Sequence, residues 1–109
     1  MEDQILAGLR RVAGVAAAYL VDEQGVAGAT VRDEAGALQG SLLAAMAGVL
    51  RQALADMDLG APGEAIIEAE RGAIVAGELA DGRLAVAVAR PGANLGLIRL
   101  ELRRLRRAQ

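Results

Sequence analysis

The 109-residue chain contains no cysteine and no histidine, and Tyr19 is its only aromatic residue. Without cysteine there can be no disulfide framework, thiol nucleophile or thiolate metal site, an absence compatible with a reducing compartment. Without histidine the commonest general base and the commonest transition-metal ligand are both missing. Lysine is absent as well, so all 12 basic residues are arginine. The opening MEDQILAG begins with acids and lacks the basic start and apolar core of a secretion signal. No run approaches the ~20 apolar residues that cross a bilayer. These absences predict a cytoplasmic protein that does not insert into a membrane.

What remains is apolar and small. Hydrophobic residues make up 54% of the chain, and with one aromatic the core must be built from Leu, Ile, Val and much Ala, with backbones in close approach. The length predicts a single domain over residues 1–109. Such a chain buries roughly two thirds of its unfolded surface, enough to stand without metal or disulfide. The net charge of -2 is unevenly placed: Arg99 to Gln109 holds five Arg and one Glu, or +4, which leaves -6 for the rest.

Periodicity divides the chain into eight elements. Asp3 to Ala13 reads as a helix with Ile5, Leu9 and Val12 on one side, ended by Gly14. Val15 to Val21 is apolar at both alternating sets, as a strand covered on both faces should be. Asp22-Glu23-Gln24-Gly25 turns the chain into a second strand, Val26 to Arg32. Asp33 is placed to cap a long helix that runs to about Asp58 and stops at Gly60. Three strands follow in a meander. Glu64 to Glu70 sets Ala65, Ile67 and Ala69 against Glu64, Glu68 and Glu70; Gly72 to Leu79 is next; Leu84 to Arg90, after the Asp81-Gly82 turn signal, is again apolar on both faces. Asn94 caps a last helix with Leu95, Ile98, Leu102 and Leu105 inward. The order α-β-β-α-β-β-β-α, dominated by hairpins, predicts an α+β fold with helices on both sides of an antiparallel sheet.

The long helix is the informative element, because Leu42 to Leu50 (LLAAMAGVL) has no polar side chain. At about 100° per residue, Leu38, Leu42, Ala45, Met46, Val49 and Ala53 form one stripe. Leu43, Ala47, Leu50, Leu54 and Met57 form another, turned by roughly a third of a circle. A helix covering one face of a small domain needs only one. We expect the first to pack on the protein's own core and the second, Leu43, Ala47, Leu50 and Leu54, to meet a partner.

Catalysis finds little support. Ser41, Thr30 and Tyr19 are the candidate nucleophiles, and none can pair with a histidine. No G-x-x-x-x-G-K or G-x-G-x-x-G segment is present, so nucleotide binding by this chain is not expected. Glu64, Glu68 and Glu70 share a strand face but lack the loop that gathers oxygens around calcium. No metal or cofactor is therefore expected. The terminal RRLRR would suit nucleic acid or anionic lipid. It lacks aromatic platforms, the remainder is acidic, and arginines in a last helical turn complement the helix dipole. No nucleic-acid partner is expected.

The "AAAYLVDEQGVAGA" hairpin, the helix "LLAAMAGVLRQAL", the hairpin "DGRLAVAV" and the closing "ANLGLIRLELRR" occur in an order and spacing that resembles the Roadblock / dynein light-chain family. The likeness runs from about Ile5 to Arg104 and rests on the number of landmarks, since none is a sharp motif by itself. It implies a profilin-like three-layer fold with five antiparallel strands, the long helix on one face and the terminal helices on the other. It also implies a homodimer or heterodimer, here expected as a homodimer, joined along the Glu64–Glu70 strand, where Ile66 and Glu68 lie, and along the long helix. Bacterial members resemble regulators of Ras-like small GTPases, so the expected role is a non-enzymatic adaptor for such a GTPase. A purely structural dimerisation subunit is the alternative.

Two consequences follow from that resemblance. Self-pairing of the Glu64–Glu70 strand would bring carboxylates near carboxylates, which is unfavourable, unless Arg51 or Arg71 offsets them; those acids would equally guard a free edge. Arg51 is also the geometric candidate for an arginine finger, a residue type that can speed GTP hydrolysis on the order of 10³–10⁵-fold. An ordinary surface or interface arginine is the stronger reading.

Overall fold

The computed structural model describes residues 2–22, 25–30 and 34–109. Its elements are α1 (Glu2–Arg11), β1 (Val15–Asp22), β2 (Gly25–Ala29), α2 (Glu34–Asp56), β3 (Glu64–Ala69), β4 (Gly72–Glu78), β5 (Leu84–Ala89) and α3 (Leu95–Arg107). The strands form one antiparallel sheet in the order β2-β1-β5-β4-β3. β1 and β5, the two strands apolar on both faces, therefore take interior places, as two-sided burial requires. The expected fold class, α+β with helices on both faces, is the one observed.

The alternation of side chains divides the core in two. Ala18, Leu20, Val75, Ala85 and Ala87 point to the face covered by α1 and α3, where Ile5, Leu6, Leu9, Ile98, Leu102 and Leu105 meet them. Ala17, Tyr19, Val21, Ala76, Leu84 and Val86 point to the other face, where α2 contributes Leu43 and Ala47. Tyr19, fully buried, donates its hydroxyl to Gln39 Oε1 on α2. Close approach is visible where the chain passes from α1 into β1. Gly14 has φ +90°, and a Cβ there would stand 2.6 Å from Ala93 Cβ.

Several boundaries differ from expectation. α1 stops at Arg11, with Val12 bonding back to Leu9 O. Asp33 and the Glu23-Gln24 turn lie outside the described residues, as does the expected end of the second strand at Arg32. The Asp81-Gly82 turn is not a two-residue loop. Leu79 N–H bonds Arg83 O, leaving Ala80, Asp81 and Gly82 as a three-residue loop with Gly82 at φ +89°. The tight hairpin lies instead at Glu70-Arg71, between paired Ala69 and Gly72. α3 starts as expected, with Asn94 Oδ1 accepting from Leu97 N–H at 3.2 Å.

Candidate interaction surface

From Leu42 to Leu50 α2 is apolar around its circumference, and the sheet hides only part of it. The inward row runs Gly36, Gly40, Leu43, Ala47, with Leu50 and Leu54 half-buried beyond them. The outward row is Leu38 (63% exposed), Leu42 (63%), Ala45 and Val49 (68%). The two rows thus exchange the roles expected for them. Leu43 and Ala47 are enclosed by their own subunit against Ala76, Leu84 and Val86, so they are not available as a docking surface. Leu38, Leu42 and Val49 are the side chains left to water. Met46 and Ala53, expected inward with that row, are half-buried at its flank.

Both rows have the same 4-3-4 spacing, so periodicity did not separate them. The distinguishing signal was at their ends. The inward row extends through Gly36 and Gly40, small residues that let a helix lie close on a sheet. The outward row continues into Gln52 and Asp56, which are polar and exposed.

The second exposed apolar region is β3, an edge strand. Ile66 (40%) and Ile67 (44%) are both exposed, and Glu68 is exposed beside them. Five of the six β3 residues are exposed, so neither face is fully covered. Leu97 and Leu100 of α3 are exposed as well, but they stand on a helix that carries Arg99, Arg103, Arg104, Arg106 and Arg107.

The charges near β3 are arranged differently from expectation. Glu64 is held from α3: Arg103 Nε donates to Oε2 at 2.7 Å and its Nη2 to Oε1 at 3.2 Å, while Arg99 Nε donates to Oε1 at 3.0 Å. The Arg103 hydrogen bonds, aided by Arg99, hold the Glu64 carboxyl below its ordinary pKa of 4.5 against a smaller opposing effect of burial. Glu64 raises the Arg103 guanidinium in return. Arg51 does not reach this strand. It is half-buried, and its Nη2 donates to Gly82 O at 2.8 Å, tying α2 to the β4–β5 loop. It lines an open cleft with Asp22, Glu78, Asp81 and Arg83. There Arg83 and Asp81 are paired at 2.8 Å.

Among the described residues there is no group of three or more acidic side chains placed to hold a metal ion. No helix there is long and apolar enough to cross a membrane. The large apolar side chains left exposed on α2 and β3 are Leu38, Leu42, Val49, Ile66 and Ile67.

No sequence-family model and no curated protein matches the chain. Solved structures do. A Roadblock/LC7 domain from Streptomyces avermitilis superposes with TM-score 0.82 at 19% identity, covering 97% of this chain and 92% of that one. The chain has the Roadblock/LC7 fold. A second Roadblock/LC7 domain from Streptomyces is 29% identical with TM-score 0.70, over 100% of this chain and 98% of the other. MglB in a tetrameric arrangement matches with TM-score 0.79 and 22% identity, over 96% and 82% of the two chains. In this chain the apolar surfaces that the fold leaves open include the outward row of α2 and the β3 edge.

Proposed function

We propose that the chain is a non-enzymatic homodimeric adaptor that docks on a Ras-like small GTPase and modulates its nucleotide state. The observation that carries this reading is the row Leu38, Leu42, Ala45 and Val49, exposed along a helix that already buries its opposite side. A monomer that leaves three large aliphatic side chains in line carries a contact surface. The Roadblock/LC7 fold supplies the partner class, since bacterial members resemble regulators of Ras-like GTPases. Two copies joined along β3 and through the Leu38, Leu42 and Val49 row of α2 would present the remaining outer sides of the paired long helices, and the GTPase would dock there. Leu43 and Ala47 support that face from beneath, while Leu50 and Leu54 border it.

Such an adaptor acts by repositioning its partner's own residues. The one cation on α2 with a conceivable direct role, Arg51, is engaged by the Gly82 carbonyl. The test is a GTP turnover and nucleotide exchange assay on a candidate Ras-like GTPase, with and without the purified chain. A changed rate that Leu42→Glu abolishes supports the proposal. Neither binding nor a rate change would leave the second reading, a structural assembly subunit, which the tetrameric arrangement of MglB favours.

A further inference from the structure

The β3–β4 pairing fixes which backbone groups of β3 are unpaired. Glu78 N–H donates to Gly63 O at 2.9 Å, so residues 63 and 78 form a hydrogen-bonded pair. In an antiparallel ladder such pairs alternate along the strand, and the observed register places Ala65 opposite Ala76, Ile67 opposite Ile74 and Ala69 opposite Gly72. The N–H and C=O groups of Ala65, Ile67 and Ala69 therefore turn toward β4. Those of Glu64, Ile66 and Glu68 turn outward, to the open edge.

A second copy adding its own β3 antiparallel must bond through those same three residues, and a two-fold axis allows few registers. An axis at Glu68 sets Glu68 against Glu68, which like charges disfavour. An axis at Ile67 sets Ile66 against Glu68 twice, and one at Ala65 sets Glu64 against Ile66 twice. An axis at Ile66 sets Ile66 on its twin and each Glu64 opposite the other copy's Glu68.

That last pairing looks repulsive until the arginines are counted. Glu64 already sits between Arg99 and Arg103, so the cluster carries a net charge of +1. Arg99 bonds it through Nε alone and Arg103 through Nε and Nη2, so donors remain on both guanidiniums. We infer that the chain pairs with a second copy across a two-fold axis at Ile66, in the register that seats Glu68 of each copy on the Glu64–Arg99–Arg103 cluster of the other. The inference rests on the dimer reading above and adds its register and its ion clamp. The arginines on α3 take the offsetting role that the sequence suggested for Arg51 or Arg71.

The chain has no native cysteine, so single substitutions report the register directly. Across a hydrogen-bonded pair the two Cα atoms at position 66 would lie about 5.5 Å apart, inside the disulfide range of about 4.4–6.8 Å. At position 67 they would be offset by two residues and more than about 8 Å apart, out of reach. Under mild oxidation Ile66→Cys is expected to give a covalent dimer and Ile67→Cys to remain uncrosslinked. Glu68→Arg, facing two arginines, is expected to raise the dimer Kd at least about tenfold. Crosslinking at position 67 instead of 66, or an unchanged Kd for Glu68→Arg, would overturn the inference. Light scattering on the unsubstituted chain separates the two levels. A dimer that fails to crosslink at position 66 removes this register alone, whereas a monomer removes the dimer reading with it.

Discussion

Leu42 and Leu43 are neighbours in sequence and opposites in role, which makes them a sharp pair of perturbations. Leu43 is 8% exposed and packs on the sheet, whereas Leu42 is 63% exposed. Truncating Leu43 to Ala removes buried methyl groups and leaves a cavity, at a cost of about 2–5 kcal/mol. The same change at Leu42 should alter the stability of an isolated subunit by no more than about 0.5 kcal/mol. Association reverses the ranking. A leucine is worth roughly 1.5–3 kcal/mol on full burial, so about two thirds of that remains to be gained at position 42. Over two copies, Leu42→Ala should cost roughly 2–4 kcal/mol of association, or roughly 30- to 700-fold in Kd. Urea denaturation of dilute protein and sedimentation equilibrium measure the two effects separately. If Leu43→Ala dissociates subunits that stay fully stable, while Leu42→Ala melts the fold, the assignment of inside and outside on α2 is wrong.

Tyr19→Phe deletes a buried hydroxyl that donates to Gln39, and a loss of about 0.5–1.5 kcal/mol in the denaturation free energy is expected. Gly14→Ala should cost more, about 1–3 kcal/mol, since its φ of +90° and the 2.6 Å approach to Ala93 both oppose a Cβ; thermal melting reads it. Glu64 has its pKa lowered in the folded state from an ordinary 4.5, so its stabilising contribution is present above that pH and lost as pH falls through the folded value. The urea midpoint should drop in acid, and Glu64→Gln should lessen that part of the drop. Arg51→Ala is expected to leave any GTPase stimulation by the chain unchanged, because its guanidinium bonds Gly82; a turnover assay that shows lost stimulation would assign it a direct role.

The layers were legible because burial on two faces is written in residue pattern. Val15 to Val21 and Leu84 to Arg90, apolar at every position or nearly so, could only be interior strands, and they are β1 and β5. The α2 surface was half legible. That the helix had more apolar surface than one sheet could cover followed from Leu42 to Leu50, yet which row met the sheet did not follow from spacing that both rows share. Gly36 and Gly40 beneath the helix, and Gln52 and Asp56 along its outer side, were the deciding residues. The Glu64 cluster was not legible at all. Arg99 and Arg103 lie 35 and 39 residues away in sequence, and their meeting depends on α3 folding back over β4. A local reading favoured Arg71, three residues beyond Glu68, or Arg51 on the neighbouring helix.

Whether a second copy covers α2 is decided by the solution mass of the purified chain, measured by multi-angle light scattering at micromolar concentration. Leu38, Leu42 and Val49 covered by a second copy predict twice the chain mass of 11.2 kDa, falling toward a single chain in Leu42→Glu. A stable species of 11.2 kDa that stays soluble with that row open to water would show that α2 is not a contact surface between copies.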